Sequence, residues 1–271
     1  MLKTVLLPVD QSDVMRSVME TCWRAADRFQ ATIEGVALRP ALAEIVVPDP
    51  IVAVTISPAD WNEVEFCRET RALFDAFAVE HPAPAGAGAR FRWRGGSAIE
   101  DGAIGSIARV FDLSVLGRPG RGAGRMAAFE SALFDSGRPV LMAPPRALKT
   151  LGEIVLVHWN RSTETARALA FALPFLAKAK QIMILEAATV PGPSGKDALG
   201  YLAAHGIGAT EKSIAPRNQR PGEAILAEAS ALGADLLIKG AYTQSRLRQM
   251  IFGGATSHII AAAELPVLFA H

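Results

Sequence analysis

The feature that most constrains this chain is that it states one pattern twice. Residues 2–9 form a short apolar run followed by Asp10-Gln11-Ser12, and residues 154–158 form another, followed by Trp159-Asn160-Arg161-Ser162. Further along, Phe111-Asp-Leu-Ser-Val-Leu-Gly117 matches Ala234-Asp-Leu-Leu-Ile-Lys-Gly240, with aspartate and glycine in register. Arg138-Pro-Val-Leu-Met142 then matches Leu265-Pro-Val-Leu-Phe269. Three anchors in the same order indicate an internal duplication. The join falls in Ala143-Pro-Pro-Arg-Ala-Leu-Lys-Thr150, where prolines and polar residues mark a linker. The expected domains are therefore residues 1–145 and 151–271, and 271 residues is a natural length for two.

Within each repeat, apolar runs alternate with segments of helical period. In the first repeat strands are expected near residues 3–9, 32–38, 90–94, 112–117 and 139–143. Helices are expected over 12–28, 60–80, 98–110 and about 126–136. Ser12 and Ser162 stand where N-cap hydroxyls belong. In the second repeat Ala166, Leu169, Ala170 and Leu173 make one helical stripe, which Pro174 should kink or end. Near-continuously apolar strands alternating with helices indicate parallel sheets covered on both faces. The expected fold class is thus α/β, with two doubly wound five-stranded parallel-sheet domains. Residues 139–143 and 266–270, where the repeat anchors end, should be edge strands that meet between the domains. Ligands of such sheets bind beyond the carboxyl ends of the strands, where strand order reverses.

Composition narrows the function classes. The formal net charge is +1, and no basic run is interleaved with aromatics, so nucleic acid is not an expected partner. Cys22 and Cys67 lie in helical segments and read as thiols in a reducing compartment. The apolar start is interrupted by Pro8 and ended by Asp10, which suits a first strand better than a signal peptide. No apolar run approaches the ~18–20 residues that cross a membrane, so a cytoplasmic location is expected. Residues 39–60, with Pro40, Pro48, Pro50 and Pro58, are the main irregularity. They read equally as an interaction element or as a surface excursion of the first domain.

The stretch that can carry chemistry runs from Gly240 through Thr243 and Arg246 to Gly253, Gly254 and Thr256. It follows a strand and enters a helix, the arrangement that points free amides at an anion. Gly240 lets the chain leave the sheet, Gly253 and Gly254 permit close approach, and Thr256 offers a hydroxyl. The same glycines can equally be turn residues and nothing more.

Over its whole length the chain resembles the universal stress protein family in its tandem form. The family's first-strand signature stands here as Pro8-Val9-Asp10-Gln11-Ser12, and its closing strand as Leu265-Pro-Val-Leu-Phe269. Its nucleotide loop, Gly-x2-Gly-x9-Gly-[Ser/Thr], falls on Gly240, Thr243, Gly253 and Gly254, so the second glycine and the final hydroxyl residue differ. The resemblance implies ATP, or another adenine nucleotide, held in the second domain by Asn160, Gly240, Thr243, Gly253, Gly254 and Thr256. Asn160 stands where the family has an acid beside the adenosine.

The first repeat departs further. Gly117 and Gly120 fit, but Glu130-Ser131 or Met126-Ala127, depending on the direction of counting, replaces the last pair. The stretch Arg118-Pro-Gly-Arg121-Gly-Ala-Gly-Arg125 reads as solvated surface or an anion-binding loop. Gly192-Pro-Ser-Gly195-Lys196-Asp197 mimics a P-loop with the wrong spacing. The histidines and cysteines show no metal spacing, and no nucleophile–base motif is present. The expected function is stress-response binding and signalling without turnover, with weak nucleotide binding. A nucleotide-independent scaffold acting through residues 39–60 is the alternative. The domains should pair within the chain, and a homodimer is compatible with the family.

Overall fold

The computed structural model describes residues 2–39, 44–46, 53–55, 62–82, 90–120, 126–187, 190–213, 220–242 and 254–271. The first repeat runs β1 (Thr4–Val9), α1 (Met15–Phe29), β2 (Thr32–Ala37), a short pair β3 (Glu44–Val46) and β4 (Ala53–Thr55), then α2 (Glu63–Glu80) and β5 (Phe91–Trp93). It continues with a 3-10 turn leading into α3 (Ile104–Ala108), then β6 (Leu113–Gly117), α4 (Met126–Asp135) and β7 (Val140–Ala143). The second repeat runs β8 (Ile154–Trp159), α5 (Thr163–Leu176), β9 (Gln181–Glu186), α6 (Gly195–Ala204) and β10 (Thr210–Ser213). It ends with α7 (Pro221–Leu232), β11 (Leu236–Gly240), α8 (Ala255–Ala262) and β12 (Val267–Ala270).

Among the described residues the principal sheet has ten strands, ordered β10-β9-β8-β11-β12-β7-β6-β1-β2-β5. Within each repeat the order reverses between the first and fourth strands, β1 beside β6 and β8 beside β11. These two junctions are the topological switch points. Neighbours inside each repeat are parallel, whereas β7 and β12 pair antiparallel, with Leu268 opposite Leu141 and Phe269 opposite Val140. The two expected five-stranded sheets are therefore one continuous sheet. Val140–Ala143 and Val267–Ala270 are wholly buried apolar strands, and pairing them removes two edges that would otherwise offer open backbone groups.

Alternation along the strands divides the core in two. Val5, Leu7, Val155 and Val157 face one side with α1 and α5, while Leu6, Leu156 and Leu237 face the other with α4, α7 and α8. Each core spans both repeats. Phe29 of α1 meets Phe175 of α5 edge-on with centroids 4.8 Å apart on one face, and Phe129 meets Phe269 at 5.6 Å on the other. Such pairs contribute about 0.5–1.5 kcal/mol beyond the area they bury.

The aspartate repeated in the sequence has a structural use. Asp112 Oδ2 accepts from the Lys3 and Thr4 amides (2.7 and 3.0 Å), and Asp235 accepts from the Glu153 and Ile154 amides (3.1 and 2.9 Å). Each carboxylate thus ties the start of its repeat's first strand to the start of its fourth. Burial pushes the Asp112 carboxyl up, but those amides, the Thr4 hydroxyl and the charge of Arg138 together hold it below its ordinary value.

Several local expectations are corrected. Ser162 caps α5 by accepting from the Thr165 amide, but α1 starts later than expected, at Met15, with Val14 as its N-cap and no side-chain cap. The buried stripe of α5 is Thr165, Ala168, Leu169, Ala172, Phe175 and Leu176, while Ala166 and Ala170 are exposed. That helix is apolar nearly all round, so periodicity alone left its inner face undetermined. It also runs through Pro174 and stops only at Leu176. The P-loop mimic is a capping box: Ser194 and Asp197 bond reciprocally at the start of α6. In residues 39–60, β3 and β4 form an antiparallel pair outside the main sheet, and residues 40–43, 47–52 and 56–60 lie outside the described residues. No helix among the described residues is long and apolar enough to cross a membrane.

Candidate functional site

At the second repeat's switch point, the loop after β8 and the end of β11 lie side by side. Asn160 is buried, and its Oδ1 accepts from the Ser162 amide (3.2 Å) and from the Thr165 hydroxyl. Its amide oxygen therefore organises the loop and the first turn of α5. Gly240 abuts that same turn. A methyl group added there would sit 2.5 Å from the Thr165 nitrogen and 2.6 Å from the Glu164 carbonyl carbon. Glycine is needed because backbone lies against backbone, which corrects the expectation that it serves as a swivel out of the sheet. Glu164 completes this wall. Burial raises its carboxyl pKa, but its own amide, the Thr163 and Ser162 hydroxyls and the charge of His271 together keep it below its ordinary value.

Gly254 is the N-cap of α8 with φ −74°, a conformation open to any residue, and among the described residues no side chain caps the helix there. Thr256, in the first turn of α8, is buried and accepts a hydrogen bond from Lys239 Nζ at 2.9 Å. Thr243 and Gly253 lie outside the described residues, as does Arg246. The structure thus brings together Asn160 and Gly240 through Thr165, and places Gly254 and Thr256 at the start of α8.

Two residues that motif reading passed over occupy the same junction. His158 and Lys239 are direct partners in the β8–β11 register, and Leu156 and Leu237, two residues earlier, both face α7 and α8. His158 and Lys239 therefore project to that side too. Lys239 is 3% exposed, and its Nζ donates to the Gly240 carbonyl (2.8 Å) and to Thr256 Oγ1. Among the described residues no carboxylate pairs with it. Burial pushes the Lys239 ammonium down to about 8. Burial, and then the charge of Lys239, push His158 down to about 3, so the imidazole is neutral at ordinary pH. Among the described residues His158 Nδ1 is buried without a hydrogen-bond partner. The signal was present in the repeat itself: the matched positions of the first repeat are Pro8 and Leu116, both apolar.

The first repeat builds its switch point differently. A cavity of about 230 Å3 opens there, lined by Pro8, Asp10, Ser12, Val14, Leu116 and Gly117 among others. Asp10 Oδ1 accepts from the Ser12 amide at 2.7 Å, the counterpart of the Asn160–Ser162 bond. Arg118, read as solvated surface or part of an anion loop, instead crosses to the second repeat. It bonds the Ala263 carbonyl and pairs with Glu264 at 2.9 Å. Ser131 lies within α4, where its hydroxyl accepts from the Gly105 amide and donates to Gly102. Counting that places Glu130-Ser131 in a phosphate loop is thereby excluded.

Residues 153–271 match the model of the universal stress protein family, and this half of the chain is a domain of that family. The whole chain shares its fold with a universal stress protein from Archaeoglobus fulgidus DSM 4304, at a TM-score of 0.71 and 19% identity, covering 98% of this chain and 97% of that one. A functionally unknown protein from Pseudomonas aeruginosa PAO1 superposes at a TM-score of 0.59 with 12% identity, covering 99% of this chain and 92% of that one. At these identities the likeness concerns the fold, and it extends over both repeats. The stress response protein NhaX of Bacillus subtilis (strain 168) is 35% identical over 48 residues, 18% of this chain. That match spans only 29% of the relative's own length.

Proposed function

We propose that the chain is a stress-response binding and signalling protein without turnover, whose second domain holds an adenine nucleotide weakly. The observation that carries this reading is the convergence, at the β8–β11 switch point, of a helix start with no side-chain cap among the described residues and a buried ammonium beside it. Helix N-termini at such points favour phosphate. The stress-response role follows the family of residues 153–271 and the similarity to a stress response protein of Bacillus subtilis.

Weakness follows from the same geometry. Asn160 brings no charge, and its Oδ1 already serves two bonds within its own loop and the first turn of α5. Two altered loop positions at about 1 kcal/mol per hydrogen bond weaken affinity by one to two orders of magnitude. Calorimetric titration of the full chain with ATP should give weak binding, no hydrolysis above background, and tighter binding in the Thr243→Gly, Gly254→Ser double variant. ATP held tightly through purification, or no response to the double change, refutes it. A second reading, a nucleotide-independent scaffold, draws on the β3–β4 pair standing apart from the main sheet. It is favoured if no nucleotide binds while deletion of residues 40–60 removes a protein partner.

A further inference from the structure

On the side of the sheet that carries α1 and α5, a groove of about 360 Å3 opens between the repeats. Its walls are Phe29 at the end of α1, Leu173, Pro174 and Ala177 at the end of α5, and Ile207 before β10. Lys178 and His205, both exposed, stand at its rim. In the second repeat the groove segments lead into β9 and β10, so they lie at the amino ends of its parallel strands. Asn160 and Gly240 lie at the opposite ends, and the groove is separate from that junction. Two cations stand beside it with no carboxylate partner among the described residues. Arg28 Nη2 donates to the Gly152 carbonyl (2.9 Å) and the Lys178 carbonyl. Lys178 Nζ donates to the Arg28 carbonyl and lies 5.2 Å from the centre of the Phe29 ring. These helix-end carbonyls orient both side chains without neutralising them. The adjacent acids are engaged elsewhere, Asp27 with Arg90 at 2.7 Å and Glu153 with Lys180 at 2.8 Å. One Lys178 proton is used on the Arg28 carbonyl, which leaves two for a ligand.

We propose that this groove binds a compact aromatic carboxylate, its rings against Phe29, Pro174 and Ile207 and its carboxylate on Lys178 Nζ. The size fits. A volume of 360 Å3 lies within the range of small-molecule sites, and at about 30 Å3 per water it holds roughly a dozen waters, the bulk of a two-ring acid. The apolar walls exclude a strongly polar body. A rigid aromatic one loses little conformational freedom on binding and offers a flat face to Phe29 and Pro174. The carboxylate supplies the counter-charge that Asp27 and Glu153 do not. The site uses none of the residues of the β8–β11 junction and stands or falls independently of the nucleotide reading. Phe29 belongs to the first repeat and the remaining walls to the second, so the occupant bridges the two and stabilises their junction.

The test titrates the full chain by calorimetry with naphthoate, its uncharged analogue naphthalenemethanol, and octanoate, at matched ionic strength. The native protein is compared with Lys178→Met, with Lys180→Met as a neighbouring lysine outside the groove, and with Leu173→Trp, which fills it. Ala177→Leu serves if the tryptophan variant does not fold. Naphthoate should bind the native protein and raise its melting temperature. Its affinity should fall about fivefold in Lys178→Met, the value of an exposed ion pair, and stay unchanged in Lys180→Met. Naphthalenemethanol should bind the native protein and Lys178→Met alike, and the filled groove should lose both ligands. Octanoate should bind more weakly than naphthoate. No binding of naphthoate to the native protein, undiminished binding to the filled groove, or an equal loss in both lysine variants overturns the proposal. Octanoate binding as tightly as naphthoate overturns the assignment to an aromatic ligand.

Discussion

Replacing Lys239 by leucine should stabilise the unliganded protein at neutral pH, and the gain should vanish in base. The displacement of the ammonium from 10.5 to about 8 by burial corresponds to roughly 3 kcal/mol against the folded state wherever the group is charged in both states. Leucine removes that penalty but leaves the Gly240 carbonyl and Thr256 hydroxyl without the bonds Lys239 supplied. At about 1 kcal/mol each, those losses reduce the net gain at pH 7 to about 1 kcal/mol. The pH dependence is the sharper signature. Between about 8 and 10.5 the unfolded chain still holds the lysine proton and the folded chain does not, so native stability rises with pH across that window. By pH 10 the rise amounts to roughly 2–3 kcal/mol. His158 does not contribute there, because its folded value of about 3 confines its own linkage to lower pH. Urea unfolding of both proteins at pH 7 and pH 10 reads the difference directly, and other groups that titrate in base cancel in the comparison. The variant should lead at pH 7 and trail at pH 10. Parallel stability–pH curves for the two proteins would refute the reasoning, since Lys239 would then carry no burial penalty.

Two further predictions concern the frame of the site. Gly240→Ala should cost about 2–3 kcal/mol in urea unfolding, because its methyl meets the Thr165 and Glu164 backbone. Gly120→Ala, with no atom of the described residues within 4 Å of its methyl, should be neutral, and equal effects at the two positions would remove the close-approach argument. Asp112→Ala and Asp235→Ala should each cost about 1.5–3 kcal/mol, the value of hydrogen bonds to a charged group, and should add in the double variant because the sites are independent. The Asp112 contribution should also fade in acid below its ordinary pKa of 3.8, since its folded value is depressed, and its persistence there would count against the carboxylate clamp.

The duplication, the alternation of strand and helix and the apolar edge strands were all legible in sequence, because each is a local pattern of period or composition. Val140–Ala143 and Val267–Ala270 could be expected to meet, since two wholly apolar edges need covering. The inner face of α5 was not legible. With apolar residues on every side, only contact with Phe29 and the sheet decides that Phe175 turns inward and Ala170 outward. Glycine spacing located the end of β11 but not the reason for Gly240, which is a contact with a helix some 75 residues earlier in the chain. Motif reading likewise chose Thr256 for a phosphate and overlooked Lys239, which holds it. A lysine in an apolar strand is anomalous in sequence, but only the tertiary structure shows it buried with no carboxylate beside it among the described residues. Whether a buried charge has a partner depends on every element packed around it, and no single segment of the chain carries that information.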